Sequence, residues 1–392
     1  MYTANTRGLS QAAIDGNVEA VQKLLSNEKI DVNSRFNPNT PPPLQLAANK
    51  GHAKVCEVLL AAKADVNSCC DRFGNTLLHH SASKGLTDVV KILLKKHKNL
   101  THTSNHVQET PLYRAAEKGH IQVVNLLLEA GANPSVPQSS LFIAASFKHN
   151  NVVRAILAYG TDVNAVHLNE TLLCNAVRNK NKELVLFLLE AKADPNFAHD
   201  NNTKKPLHLA INNGDVESVR ILLKYGADPT NYGHHAPFLH TAATDGHSSI
   251  VDLLLDNEAV DVNLPHPFSR ETPLFFAAKQ GHSNTIRVLV NRGANMFATT
   301  RQGYPPCENM FATTRTGLTP LQGYVHWLSD DLERKADAQI LSIFIESYYR
   351  EYGNYVNFNE ELDSLIAIDP DKKELIEQYK LSTTKNVQKS ES

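Results

Sequence analysis

The chain lacks strong charge of either sign, a cysteine framework and any long apolar run. Its 392 residues carry 39 Lys and Arg against 41 Asp and Glu, for a net charge of −2. That balance gives no field to gather polyanions, so nucleic acid is not expected as a partner. The five cysteines are odd in number and without framework spacing, which points to free thiols in a reducing, cytoplasmic setting. No stretch reaches membrane-spanning length, so no membrane insertion is expected. The opening stretch Met1 to Arg7 lacks the apolar core of a secretion signal, and the closing Lys389 to Ser392 is no lipidation box. There is no phosphate-cradling glycine loop, paired-histidine zinc helix or nucleophile elbow. An enzyme is therefore not expected, and neither is a cofactor.

What the chain does contain is one phrase written out about ten times, with a period of about 33 residues. A leucine marks the same slot in each copy: Leu9, Leu44, Leu78, Leu112, Leu141, Leu173, Leu207, Leu239, Leu274 and Leu321. Intervals between these slots lie between 29 and 35 residues, except for the last, which is 47. The exception has a simple origin, because Asn295 to Arg301 recurs verbatim as Asn309 to Arg315. Removing that 14-residue duplication restores the register, so the duplicated stretch reads as an enlarged loop.

The chemistry of one copy specifies two short helices and a turn. A Thr offers its hydroxyl as an N-cap, Pro follows where no hydrogen bond is lost, and the slot leucine begins an apolar stripe. Alanine pairs such as Ala47-Ala48, Ala115-Ala116 and Ala277-Ala278 let neighbouring inner helices approach closely. A glycine, as at Gly119, ends the inner helix in a backbone conformation that most residues resist. An outer helix follows, with runs such as Leu126-Leu127-Leu128, and an Asp- or Asn-containing turn projects as a finger. Two copies depart from the rule by placing Lys148 and Lys180 at the glycine position. Two readings fit them, a local distortion of the stack or drift in a tolerant loop.

These residues resemble ankyrin repeats. Thr110-Pro111-Leu112, Thr272-Pro273-Leu274 and Thr319-Pro320-Leu321 match the opening motif, and Gly226-Ala227-Asp228-Pro229 and Ala64-Asp65-Val66-Asn67 match the closing one. The resemblance implies an all-α solenoid of about nine to ten helix-turn-helix repeats with β-turn fingers and a helical C-terminal cap. On this reading residues 1–300 form repeats one to nine, 301–315 the duplicated loop, 316–380 an atypical final repeat and cap, and 381–392 a disordered polar tail. The stretch from 321 to 392 is acidic, with 14 Asp and Glu against 8 Lys and Arg. The resemblance also implies an adaptor-like role exercised through the groove and the fingers. Asn67 and Asn263, which close the "D-V-N" run, resemble sites of asparaginyl hydroxylation.

The 18 histidines and five cysteines do not assemble into a site on paper. Eight histidines hold repeat positions: His79, His208 and His240 follow the slot leucine, and His52, His120, His149, His247 and His282 follow the interhelical turn. Cys69-Cys70-Asp71 beside His79-His80 is the nearest approach to a metal cluster, yet adjacent cysteines diverge and lack zinc-knuckle spacing, so no metal is expected. Cys174 sits where other copies place His, which reads as a structural thiol.

Two surfaces carry the candidate contacts. If the slot leucine faces the core, residues two and six beyond it share the opposite face of the inner helix. They read Leu46 and Lys50, His80 and Lys84, Arg114 and Lys118, then Ile143 and Phe147, with Phe276 in the ninth copy. The face starts basic and passes an apolar patch. The fingers add Arg35, Phe36, Arg72, Phe73, Tyr232, Phe268, Arg270 and Phe297, together with His102, His106, His167, His199, His234, His235 and His266. Arg and aromatic residues are unusual in solvated turns and common in binding hot spots.

The function expected from these features is a monomeric, non-enzymatic protein-interaction scaffold in the cytoplasm. Its partner would bring an acidic segment and an apolar anchor. One alternative is a targeting subunit whose C-terminal cap recruits a second factor, such as a ubiquitin-ligase component. Another is a secreted bacterial effector acting in host cytosol, with a concealed C-terminal activity.

Overall fold

The computed structural model describes residues 4–26, 30–37, 40–69, 71–135, 139–197, 205–232 and 236–295, with Ile343 and Glu377 beyond. Apart from those two positions, the expected duplicated loop, final repeat, cap and tail lie outside the described residues. The chain divides into two compact units, Met1–Asp194 and Pro195–Ser392.

The described part of the first unit holds six helical pairs: α1 (Ala4–Asp15) with α2 (Val18–Leu25), α3 (Pro43–Asn49) with α4 (Ala53–Ala61), α5 (Leu77–Ser83) with α6 (Thr87–Lys96), α7 (Pro111–Glu117) with α8 (Ile121–Glu129), α9 (Ser140–Ser146) with α10 (Asn150–Ala158), and α11 (Leu172–Arg178) with α12 (Lys182–Glu190). The described part of the second unit holds three: α13 (Pro206–Asn212) with α14 (Val216–Lys224), α15 (Phe238–Thr244) with α16 (Ser248–Leu255), and α17 (Pro273–Lys279) with α18 (Ser283–Asn291). In each unit the odd-numbered inner helices pack side by side in chain order, and the outer helices form a second row behind them.

The repeat phrase explains this packing residue by residue. All nine slot leucines from Leu9 to Leu274 are buried, none more than 2% exposed. Each such side chain removed from water contributes roughly 1.5–3 kcal/mol. The alanines of the paired positions, such as Ala115 and Ala116, are equally buried and set the close approach of neighbouring inner helices. Thr110 Oγ1 accepts a hydrogen bond from the Tyr113 N–H at 3.1 Å, and Thr272 Oγ1 one from Phe275 at 3.3 Å, so the expected caps form ahead of Pro111 and Pro273.

Successive layers are tied by histidine. The Nε2 of His52, His120, His149 and His282 donates to the carbonyl of Ile14, Ser83, Glu117 and Thr244 in the preceding layer, at 2.8–3.1 Å. His79 bridges layers from the other end of the inner helix. Its Nδ1 accepts from the Thr76 N–H, which fixes the proton on Nε2, and that nitrogen donates to the Glu109 carbonyl at 3.0 Å.

The turn glycine answers to the next layer's histidine as well as to its own backbone. At Gly119 φ is +73°, and a Cβ there would lie 2.6 Å from the His149 imidazole. Lys148 and Lys180 occupy the same turn at φ of 60° and 51°, and the turn hydrogen bonds persist, from Lys148 to Ala145 and from Lys180 to Val177, both at 3.0 Å. The two turns thus keep the local geometry of the glycine turns, as the drift reading requires. At Lys148 the physical reason is a matched exchange, because the residue that would meet it from the next layer is Asn181, smaller than a histidine ring. Asn181 turns inward to cap its own helix, accepting from the N–H of Leu184.

One finger is a miniature hairpin. Val166–His167 (β1) pairs antiparallel with Glu170–Thr171 (β2), Val166 opposite Thr171. Leu168 and Asn169 join them with φ of 51° and 62°, the primed turn that suits strand twist.

Candidate contact face of the first unit

The inner helices present the two rows read from the sequence. Leu46, His80, Arg114 and Ile143 are half-buried, while Lys50, Lys84, Lys118 and Phe147 are exposed at the helix ends. The first layer places Asp15 in the exposed row, so the row runs Asp15, Lys50, Lys84, Lys118, Phe147. Phe147 is 55% exposed and stacks on the His149 ring at 6.3 Å, with 15° between planes.

The face is less uniformly basic than the sequence rows suggest. Arg114 Nε lies 3.1 Å from Glu109 and its Nη1 3.3 Å from Glu117, and Lys118 Nζ is 3.6 Å from the second Glu117 oxygen. His80 Nε2 lies 3.2 Å from Asp71. Burial works against ionisation of Asp71, but hydrogen bonds from the Asn75 side chain and from the N–H groups of Asn75 and Phe73, with His80 beside it, hold its pKa below the usual carboxylate range. Asn105 links the two ends of this network, donating to Asn75 Oδ1 at 2.9 Å and to Glu109 Oε2 at 2.8 Å. Arg114 is thus committed within the molecule. The lysine row supplies the outward positive field, with Lys84 making only two 3.4 Å contacts to Asn49.

Asp71, Glu109 and Glu117 were missed as part of this face because they belong to finger bases and to the inner helix at offsets other than two and six. A signal existed in Glu117, which precedes Lys118 and sits three residues after Arg114.

The fingers of the first unit carry apolar tips. Phe73 is 55% exposed under the Arg72 guanidinium at 4.7 Å, Val107 is 62% exposed and Leu168 is 86% exposed. All three lie five residues before a slot leucine, a regularity of position that residue type does not reveal. Phe36 is half-buried beneath Arg7 at 5.4 Å, and Arg35 is exposed. His106 is structural, its N–H donating to the Phe73 carbonyl and its ring lying over Gly74. His102 ends a short 3-10 turn, and His167 packs on Phe142 at 5.3 Å.

In the second unit Phe276 joins a ring cluster, 5.5 Å from His240 and 5.6 Å from His266, which continues to the 77% exposed Phe268 at 5.9 Å. Arg270 is exposed at φ 61°, and Tyr232 packs edge-on to Phe238 at 6.4 Å. His199, His234, His235 and Phe297 lie outside the described residues. Asn263 bridges two fingers, its Oδ1 accepting from the Asn295 N–H at 2.7 Å, whereas Asn67 lies exposed with its N–H on Asp65.

The titratable groups are arranged for packing. Burial pushes the Cys174 thiol up to about 11, and its N–H is held by Thr171 Oγ1, which suits a structural thiol. Burial pushes His79 and His240 down to about 4, leaving both neutral near pH 7. Among the described residues no group of three or more His, Cys, Asp or Glu could hold a metal ion, and no helix is long and apolar enough to cross a membrane.

Comparison with known proteins agrees with the geometry. The family model described as "Ankyrin repeats (3 copies)" matches residues 5–70, 44–138, 141–232 and 234–322. Similar stretches occur in the human Transient receptor potential cation channel subfamily A member 1, 30% identical over 109 residues, which are 27% of this chain and 10% of that protein. Alpha-latrocrustotoxin-Lt1a of Latrodectus tredecimguttatus is 28% identical over 126 residues, 32% of this chain and 9% of the toxin. The ARF GTPase-activating protein Git of Drosophila melanogaster is 37% identical over 82 residues, 21% and 11% of the respective chains. The chain spans about a tenth of the length of these relatives. The crystal structure of the ankyrin repeat domain of Bcl-3 aligns with a TM-score of 0.49 at 25% identity, covering 55% of this chain and 97% of that one. Ankyrin repeats are typically non-enzymatic modules that mediate protein–protein interaction. With the repeat phrase, the layered helical pairs and a family match over most of its length, the chain belongs to the ankyrin-repeat family.

Proposed function

We propose that the protein is a non-enzymatic scaffold that holds a protein partner along the inner-helix face and the fingers of its first unit. One observation carries this reading. Three successive layers present an exposed lysine at the same helix end, and the fourth presents an exposed phenylalanine there. An apolar anchor flanked by exposed charge is the composition of a recognition surface, because the anchor supplies affinity and the charges supply orientation and on-rate. The matched relatives support a module rather than an activity, since a channel subunit, a toxin and a GTPase-activating protein share the repeats without sharing chemistry.

The test is affinity capture from lysate with the full chain, comparing wild type with Lys84→Glu/Lys118→Glu and with Phe147→Ser. Arg114 is spared, because its ion pairs with Glu109 and Glu117 make it part of the fold. The specifically captured protein is expected to fall about tenfold with either variant, the lysine variant in a salt-sensitive manner. Undiminished capture by variants with native circular dichroism rejects this face.

A further inference from the structure

We propose that the partner segment on this face is an acidic polyproline II stretch, carrying a carboxylate at every third residue and a large apolar side chain three positions beyond the last carboxylate. This rests on the reading of the face given above and adds the register and conformation of what it holds.

Spacing along the row selects the conformation of the ligand. Lys50, Lys84, Lys118 and Phe147 are the C-caps of α3, α5, α7 and α9, one per layer, and these inner helices pack directly on one another. Packed helices lie about 8–10 Å apart, so the row offers one contact about every 8–10 Å. A ligand that meets every layer with equivalent side chains must repeat at that distance on one face. A β-strand cannot, since its same-face residues are spaced by about 6.6 or 13 Å. An α-helix comes near with seven residues over about 10.5 Å, yet it drifts about 20° per heptad, and three layers would turn its last side chain well away from the row. Polyproline II has three residues per turn and rises about 9.3 Å in that turn, so residues i, i+3, i+6 and i+9 stay on one face without drift.

The charges select the side chains. The carboxylates near the row are already engaged, Glu109 with Arg114, Glu117 with Arg114 and Lys118, and Asp71 with Asn75 and the Phe73 N–H. Lys50 and Lys84 are left without a carboxylate of the described residues within ion-pair distance, and Lys118, half exposed and 3.6 Å from a Glu117 that it shares with Arg114, can take a second one from the ligand. Asp15 in the first layer bounds the ladder, since a fourth carboxylate there would face like charge. Phe147 sets the other end, stacked on His149 with more than half its surface open.

The test uses labelled peptides and the full chain in a fluorescence polarisation titration. The probe is a ten-residue peptide of three Glu-Ala-Pro units followed by Phe, made in both chain directions. Controls are a peptide of the same composition with the three glutamates contiguous, and a helical peptide with glutamates at heptad spacing. The spaced peptide, in one direction, is expected to bind about tenfold tighter than either control, and to weaken about fivefold or more with Lys84→Glu and with Phe147→Ser. Equal binding of the contiguous peptide, still weakened by Lys84→Glu, overturns the register while leaving the face itself intact. Tighter binding of the heptad peptide overturns the conformation. Binding of any peptide that neither variant changes, or no binding in either direction, overturns the proposal, and the former also counts against the face.

Discussion

Replacing Gly119 by alanine probes the coupling between layers directly. Its φ of +73° costs a residue with a side chain roughly 1–2 kcal/mol. The new Cβ would also stand 2.6 Å from His149 Nδ1 and 2.9 Å from its Cγ, so the ring must move. Moving it gives up the 3.1 Å hydrogen bond to the Glu117 carbonyl, about 1 kcal/mol. Gly119→Ala is therefore expected to destabilise the chain by about 2–3 kcal/mol. In a His149→Asn background the ring and its bond are already gone, as they are at the Lys148/Asn181 turn. The same glycine substitution should then cost only the backbone part, leaving a coupling of about 1 kcal/mol. Urea unfolding of the four full-length proteins by circular dichroism, with the denaturant slope checked for constancy, completes the cycle. Equal costs in both backgrounds would show that the ring plays no part and refute the reasoning.

Two further expectations follow from the buried titratable groups. His79 and His240 have folded pKa values near 4, below the unfolded value of 6.5, so the unfolded chain binds more protons between those limits. Stability contributed by their neutrality is complete above pH 6.5 and shrinks as pH falls toward 4, by about 2 kcal/mol per histidine at pH 5. Unfolding midpoints at pH 7.5 and 5 should differ accordingly, and a His79→Asn variant should show a shallower dependence; a parallel profile would contradict the assignment. Cys174, buried and with its pKa near 11, should resist iodoacetamide at pH 8 until urea unfolds the chain, as read by peptide mass mapping. Rapid native alkylation of Cys174 would show a more open site.

Much of this architecture is legible in the chain because each layer repeats the same local instructions. Thr110, Pro111, Leu112 and the Ala115-Ala116 pair specify a cap, a helix start, a core contact and a close approach within seven residues, and each does so in space. The outward rows follow from the same helical geometry. What one copy cannot show is which residue of the next layer meets it. The match of Gly119 to His149 and of Lys148 to Asn181 is written about 30 residues apart and reads as loop drift until the layers are stacked. The neutralisation of Arg114 is hidden for the same reason, since Glu109 reaches it from a finger base. The exposed tips at Phe73, Val107 and Leu168 differ in type, so a search for aromatics catches one and passes over two.

The most direct measurement is amide hydrogen exchange of the full chain, alone and with its captured partner. Added protection is expected in segments 43–51, 77–85, 111–119 and 140–149, where the inner helices of four layers end on the lysine and phenylalanine row. Protection confined to the outer helices, with these four segments unchanged, would contradict it.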